Sequence, residues 1–472
     1  MREPAPMQNP NSIDRRLFLA GSVATVAALS ASALAHGATM PRKKQVAKRA
    51  SPNGKVRVMC FGVGGMGEAD MSQVASHPMV EIVGLCDVDS NNLGAAHTKF
   101  PQARTYADYR EAIAAMGDSV DAVTVSTPDH HHGPIALLAM NQGKACYCQK
   151  PLTRTIAETR AMRKMAAEKG VVTQMGIQRQ ATVGRQEGVQ LLRAGVIGKP
   201  VALHVWTNRP GGWWPQGQPR PTGSDPIPTY LNWQDWLGSA PERPYKQDTY
   251  APFRWRGFFD FGTGALGDMA CHFYDAPFLG LNMGSPTGVR GESQGLTDDE
   301  YPNAETVTVT FTGGDYAQAT LPLTWYDGGR LPLPSVSPHL PANFDLAAVS
   351  ADGCVLAVGT EGTLIIPCEG KPQVFPPARA ATLKLPELKK YNHWHAWIDG
   401  ILGKGTTIAN FDLASRVNEA VLLGVIGGRV TGVDLVYDTP GMRFTNSDTA
   451  NALVWPRYRA GWENVPGMTV TQ

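Results

Sequence analysis

Charge of one sign is what this 472-residue sequence most plainly lacks: 43 Lys and Arg stand against 41 Asp and Glu, a formal net charge of +2. A protein that grips nucleic acid by its phosphates needs a basic excess, so that class has no electrostatic support. Cysteine is scarce and odd in number, seven in all, which excludes a complete internal disulfide framework. Cys60, Cys86, Cys146 and Cys148 fall in expected buried strands, where a thiol packs as a small hydrophobe, whereas a pairing of Cys354 with Cys368 across a hairpin is left open by the sequence. No zinc-finger spacing occurs, and no metal site is expected. After the first 50 residues no apolar run is long enough to span a membrane. Neither an internal repeat nor a long low-complexity tract follows the leader. What is present is a hydrophobic content of 43%, ample for a globular core, with 50 Gly and 36 Pro that make for many turns. Eleven Trp suggest the aromatic surface on which sugars stack. The length favours two domains behind a leader.

Residues 1–35 read as that leader. Arg15-Arg16-Leu17-Phe18-Leu19 precedes a modestly apolar run of small residues ending in Ala33-Leu34-Ala35. The paired arginines resemble the twin-arginine class of bacterial export signal, with cleavage expected after Ala35; an uncleaved anchor is the alternative. Residues 36–54 form a basic linker. The expectation is a periplasmic or otherwise exported bacterial protein whose first partner is the twin-arginine export machinery. That route carries folded proteins with their cofactors in place.

The segment from Val56 to Asp89 carries the clearest chemistry. An apolar run, Val56 to Phe61, is followed by Gly62-x-Gly64-x-x-Gly67, a helical stretch and a second apolar run, Val80 to Cys86, ending at Asp87. Gly62 permits the tight turn, Gly64 lets the backbone approach a pyrophosphate, and Gly67 lets helix and strand pack closely. The free N–H groups around Gly65 and Met66 at the helix start then hold phosphates. Asp87, roughly 20 residues beyond, is placed to accept hydrogen bonds from a ribose. A 2′-phosphate would be repelled there, so NAD is expected rather than NADP. Free NAD is scarce outside the cytoplasm, so an exported protein is expected to hold it tightly and recycle it in place.

Strands and helices continue to alternate to about Met175, which predicts an α/β, parallel, doubly wound dinucleotide-binding domain over 55–175. Asp87, Thr127 and Lys150 all end predicted strands and should face one crevice. A helix is predicted over Gly133 to Gln142. Beyond Gly176, strands at Thr306–Phe311, Gln318–Trp325, Cys354–Val358 and Thr363–Ile366 predict an α+β domain over 176–440 with an open, mostly antiparallel sheet, followed by a tail, 441–472. The Pro-, Gly- and Trp-rich stretch Asn208–Arg256 shows little periodicity, and a loop of that length in a domain is usually functional.

Three constellations can do chemistry. Thr127-Pro128 leads into His130-His131-His132. Adjacent side chains diverge and cannot easily share one ion, so a loop over the nicotinamide, with His132 positioning the next helix, is preferred to a metal site. Lys150, before Pro151 at the mouth of a strand, can polarise a carbonyl or stabilise an alkoxide; the plainer alternative is a solvated surface lysine. Asp268 and His272 stand one turn apart on a predicted helix, so the carboxylate can orient an imidazole suited to proton transfer. Half of a metal site, or a cap beside a core histidine, would give the same pattern. Gln178, Arg209, Trp213 and Trp214, with Trp206, can form a stacking and hydrogen-bonding wall for a sugar; core packing explains the tryptophans equally well.

Taken together, the glycine turn, Thr127-Pro128 with His132, Lys150-Pro151, Gly267-Asp268 with His272, and Asn410-Phe411-Asp412 resemble the glucose–fructose oxidoreductase, inositol dehydrogenase and MocA (Gfo/Idh/MocA) family from Val56 to about Val425. The resemblance implies NAD(P)-dependent oxidation of a sugar, glycoside or cyclitol hydroxyl, with Lys150, Asp268 and His272 as catalytic trio. It also implies cofactor contacts from Gly62, Gly64, Gly65, Met66, Gly67, Asp87, Thr127, Pro128, His132 and Lys150, and a homo-oligomer built on the open sheet. Gln149 departs from the family, which commonly has Glu before the Lys-Pro pair. Two other functions fit the same residues: a glycosidase that uses bound NAD for transient oxidation and elimination, and a sugar-binding protein without turnover.

Overall fold

The computed structural model describes residues 54–468. The expected export signal and all but the last residue of the linker lie outside the described residues. Among those described, no helix is long and apolar enough to cross a membrane.

Six strands, β1 (Val56–Phe61), β2 (Val80–Cys86), β3 (Arg104–Tyr106), β4 (Ala122–Val125), β5 (Ala145–Gln149) and β6 (Thr173–Gly176), pair in the order β3-β2-β1-β4-β5-β6. Every pairing is parallel. Between them run α1 (Met66–Ala75), α2 (Ser90–Lys99), α3 (Tyr109–Met116), α4 (Asp129–Asn141) and α5 (Ile156–Lys169). The sheet is covered on both faces, and β1 shows why its apolar run is continuous. Val56, Val58 and Cys60 pack with Met71 and Val74 of α1 on one side, while Met59 and Phe61 join the larger core on the other. Fully burying each such side chain contributes about 1.5–3 kcal/mol. Local chemistry sets the helix ends. The Asp89 carboxylate accepts from Asn91 N and Asn92 N. Thr155 and Glu158 form a reciprocal capping box, and Gly170 closes α5 at φ 61°. The strand order reverses between β1 and β4, the switch point where such sheets bind ligands.

The second sheet contains β7 (Pro200–Trp206), β8 (Ser285–Gln294), β9 (Ala304–Thr312), β10 (Thr320–Tyr326), β11 (Cys354–Gly359), β12 (Thr363–Pro367), β13 (Gln373–Phe375), β14 (Leu435–Asp438) and β15 (Arg443–Phe444). Their order is β13-β12-β11-β7-β10-β9-β8-β14-β15, antiparallel except where β7 runs parallel to β10. The chain adds α6 (Val183–Arg193), α7 (Trp233–Leu237), α8 (Gly264–Gly280), α9 (His393–Ile401), α10 (Phe411–Arg429) and α11 (Asp448–Asn451). Helix α10 packs on α8, α5 and β8, and α6 packs on α8, so one core runs from the first sheet into the second. The fold class is therefore that expected: a Rossmann-type parallel sheet followed by a mixed, mostly antiparallel sheet.

Several local expectations are corrected. Helix α4 begins at Asp129, so His130, His131 and His132 form its first turn and not a loop. The structure adds β8, whose sequence, SPTGVRGESQ, carries two glycines and a proline and shows no apolar alternation. Its neighbours β9 and β14 hold it in the sheet. All seven cysteines are free and buried, Cys354 and Cys368 included. The stretch 208–256 is folded: Trp233 and Trp236 stack at 4.8 Å, and with Tyr245, Tyr250, Trp255 and Phe258 they make a separate small core.

Candidate functional site

The crevice begins at the glycine turn. Gly62 adopts φ 74°, and a Cβ there would stand 2.7 Å from the carbonyl oxygen of Ser126. A Cβ on Gly67 would stand 2.0 Å from the Gly62 carbonyl, so helix α1 reaches β1 only because both residues are glycine. Gly64 lies against the side chain of Asn92. Gly65 is the N-cap of α1, at φ 53°, with open space above it and no side chain capping the helix. A phosphate meets an uncovered helix start there. Asp87 accepts from Val63 N and from Asp89 N, each at 2.9 Å. Burial raises its pKa, and those backbone donors oppose the rise. The expected ribose ligand is thus also the brace that fixes the glycine turn to the end of β2.

Thr127 follows β4, and its hydroxyl is buried without a hydrogen-bond partner. An orphaned hydroxyl beside an uncapped glycine turn is what a crevice built for a dinucleotide should show. Pro128 caps α4. His132 bolts the turn to the Lys150 loop, its Nε2 lying 2.9 Å from the Thr127 carbonyl and its Nδ1 2.8 Å from that of Pro151. Burial lowers its pKa to about 4, so the ring is neutral and donates to one of these two carbonyls. His130 and His131 both turn toward the carbonyl of Trp236, at 3.1 and 2.9 Å. Among the described residues no group of His, Cys, Asp or Glu is arranged to hold a metal ion.

Lys150 ends in the same crevice. Its Nζ donates to Asp268 Oδ1 at 2.6 Å and to the Asp268 carbonyl at 3.0 Å. Arg256 Nε adds a second donor to Oδ1 at 3.1 Å. Burial by itself would raise the Asp268 carboxyl; Lys150 and then Arg256 outweigh it and hold the group well below the usual carboxylate range. His272 lies one turn further along α8, and its Nδ1 is buried with no partner. Burial first, then the positive charges of Lys150 and Arg179, push its pKa well below the ordinary histidine value. The expected hydrogen bond from the imidazole to the Asp268 carboxylate is absent among the described residues. The partners of the carboxylate are Lys150 and Arg256, both on Oδ1.

Behind Lys150 lies a second carboxylate that the sequence did not single out. Gln149 Nε2 donates to Asp70 Oδ2 at 2.8 Å, and Gln149 Oε1 accepts from Lys150 N at 3.2 Å. Asp70 also accepts from Ser126 Oγ and Trp394 Nε1. Burial raises it to about 6 against those hydrogen bonds. Gln149 therefore has a negative partner on α1 in place of a charge of its own. Asp129, bonded by Thr263 Oγ1 at 2.7 Å, is pushed up to about 7 by burial.

The four residues expected at the substrate do not act alike. Arg209 stacks 3.6 Å over the ring of Trp213, which is 51% exposed, and the charge of Asp268 reaches Arg209. Those two make a wall near the Lys150 pair. Trp214 is buried, bonded to Gln216, and backs Arg256 at 5.8 Å. Gln178 begins a short turn and lines a separate cleft of about 600 Å³ with Arg179, Tyr391 and Trp394. Trp206 is core. Arg256, Asp70 and Asn92 carry no local motif; nothing short of the tertiary structure singles them out.

Residues 56–177 match the NAD-binding Rossmann fold of the Gfo/Idh/MocA oxidoreductase family, and residues 185–318 match that family's C-terminal alpha/beta domain. Inositol 2-dehydrogenase of Salmonella typhimurium is 27% identical over 146 residues, 30% of this chain and 43% of that protein. Levoglucosan dehydrogenase of Pseudarthrobacter phenanthrenivorans is 26% identical over 230 residues, 47% of this chain and 50% of the relative. The chain thus spans half or less of the length of these curated relatives. Among solved structures, the WlbA dehydrogenase of Bordetella pertussis, in complex with NADH and UDP-GlcNAcA, superposes with a TM-score of 0.58 at 16% identity, covering 81% of this chain and 98% of that one. Levoglucosan dehydrogenase with NADH and levoglucosan gives 0.52 at 18%, covering 80% and 99%. At such identities the likeness is one of fold. The two family matches together take in more than half of the chain, on both sheets and on the glycine turn, and the chain belongs to the Gfo/Idh/MocA oxidoreductase family with its NAD-binding Rossmann domain.

Proposed function

We propose that this protein is an NAD-dependent oxidoreductase acting on a hydroxyl-bearing carbon of a sugar, glycoside or cyclitol. The observation that carries the reading is the Lys150 ammonium held by Asp268 at the mouth of the crevice, one helical turn from an imidazole with a free nitrogen. The uncapped turn at Gly64, Gly65 and Met66, with Gly62 and Gly67 shaping it, would hold the pyrophosphate, and Asp87 the ribose. Thr127, Pro128 and His132 would line the nicotinamide side. NAD bound there supplies a two-electron acceptor.

The chain's own residues supply the rest. Lys150, with its charge balanced by Asp268, donates to the reacting oxygen and stabilises negative charge as it develops. His272 is neutral, and since its Nδ1 is buried, Nε2 would be the ring nitrogen that takes the hydroxyl proton. The positive charges around it weaken its basicity, so proton transfer depends on the hydroxyl being acidified by Lys150 first. Arg209 stacked on Trp213 would offer a ring face and donors to a polyol. The names of the relatives, an inositol and a levoglucosan dehydrogenase, support this substrate class.

Export through a twin-arginine signal, cleavage after Ala35, tight cofactor retention and a homo-oligomer on the open face of the second sheet are part of the same reading. One experiment tests its centre. The natively exported protein is denatured and the supernatant assayed for NAD(H) and NADP(H), while the intact protein is offered cyclitols, hexoses and glycosides with NAD. Stoichiometric NAD, or NADH formation with one of these polyols, supports the reading. A protein that neither releases nor binds either dinucleotide refutes it.

A further inference from the structure

A cavity of about 270 Å³ lies between the start of α5 and the last turn of α10, flanked by the chain beyond α11. Three arginines line it: Arg154, Arg429 and Arg457. Arg154 donates through Nη1 to the Phe259 carbonyl at 2.8 Å, and its Nε is buried without a partner. The Arg429 guanidinium stacks 3.8 Å over the Phe259 ring. Burial lowers the pKa of Arg429, Tyr301 partly offsets that, the charge of Arg154 lowers it further, and the Asp260 carboxylate raises it. Two partly buried cations therefore line one cavity, and an anion bound there would relieve their mutual repulsion.

Two carboxylates, Asp260 and Glu158, act on this pair through their charge but form no ion pair with it. Asp260 is the acidic residue of the lining, and it is engaged by Arg243 and, at 3.8 Å, by Arg220. Glu158, the carboxylate that Arg154 influences, is bonded to Thr155 and Tyr458. Among the described residues, none of the three arginines takes part in an ion pair. The remaining wall, with Ile156, Leu422, Val425 and Ile426, is apolar. Forked guanidinium donors suit the tetrahedral oxygens of a phosphate better than a single carboxylate edge, and the apolar wall accepts a small organic body.

We propose that this cavity is a binding site for a phosphate dianion, free or as a small phosphate monoester, separate from the dinucleotide crevice. None of its lining residues belongs to the glycine turn or to the Lys150–Asp268 pair, so the site stands independently of the function proposed above. It adjoins both halves of that site all the same. Arg154 follows Lys150 on one loop, and the Tyr301 hydroxyl donates to the Gly262 carbonyl in the turn that opens α8.

The test is calorimetric titration of the full chain, saturated with NAD so that the crevice's own phosphate contacts are taken, at an ionic strength held constant with chloride. The probes are inorganic phosphate and a hexose 6-phosphate. One saturable site is expected, with affinity at least tenfold weaker in Arg429→Gln and in Arg154→Gln and about threefold weaker in Arg457→Gln. Tighter binding of the hexose phosphate identifies an ester as occupant; equal or weaker binding identifies inorganic phosphate. Absence of any heat beyond the chloride control, or undiminished binding by a folded Arg429→Gln or Arg154→Gln protein, overturns the proposal. Should both of those variants fail to fold, Arg457 is exposed and tolerant, and unchanged affinity in Arg457→Gln overturns it as well.

Discussion

Lys150 Nζ and Asp268 Oδ1 are 2.6 Å apart, and they join the end of β5 to helix α8 across 118 residues of sequence. Both side chains are largely buried, at 15% and 12% exposure, so the pair is a mechanical clamp between the two sheets' helices as well as a chemical one. Leaving a buried charge alone costs about 3–5 kcal/mol; Asp268 keeps Arg256 when Lys150 is removed, so the loss here is smaller. Lys150→Ala is therefore expected to lower the melting temperature and to depress turnover by about 10²-fold or more, the usual loss of a donor to a developing oxyanion, while leaving NAD bound. Steady-state kinetics beside NAD fluorescence titration checks this; full retained activity removes Lys150 from the site.

His272 titrates in a direction that its surroundings set. Burial, Lys150 and Arg179 all favour the neutral ring, so its protonation lies well below the ordinary histidine range. Activity that needs a neutral His272 should persist as pH falls through 6.5. A pH–rate profile with an acidic limb at the ordinary histidine value would assign that limb to another group. His272→Ala should lower kcat by about 10²–10⁴-fold without weakening NAD binding.

Asp87 braces Val63 N and is placed for a ribose. Asp87→Ala should weaken NAD by about tenfold, equivalent to ~1.4 kcal/mol, and narrow any preference over NADP, since the repelling charge is gone. Parallel titrations with both dinucleotides decide it; an unchanged ratio removes Asp87 as the discriminator.

Asp129 has its pKa raised from 3.8 to about 7 by burial. A carboxyl raised on folding contributes stability that is complete below 3.8 and is lost as pH rises through about 7. Wild-type stability should accordingly fall over that window relative to Asp129→Asn, whose amide oxygen can still accept from Thr263 Oγ1. Urea denaturation of both proteins at pH 4, 6 and 8 reads the difference; parallel curves would mean that folding does not raise the Asp129 pKa.

Much of the first sheet was legible because its signals are local. The apolar run Val56–Phe61, the glycine turn and the acid at Asp87 are neighbours in sequence, and each has a conformational consequence within a few residues. Asp268 and His272 share a helical face for the same reason. The start of α4 was not legible, since three histidines in succession carry no helical periodicity. Their reason for burial is the Trp236 carbonyl and the Pro151 carbonyl, both brought from elsewhere. The same holds for β8, whose glycines would break an isolated strand and which is held by β9 and β14.

By itself, then, the sequence determined that a strand, a glycine turn and a helix form in succession, that an acid ends the next strand, and that a lysine stands at a strand's mouth. Backbone periodicity and the steric freedom of glycine are properties of adjacent residues. Only the tertiary structure decided that the Asp268 carboxylate goes to Lys150 and Arg256 and not to His272, that Asp70 stands behind Gln149, and that Arg154 and Arg429 line one cavity without an ion pair. Those partnerships join segments distant in sequence, and a charge takes whichever partner the packed core brings within a few ångströms.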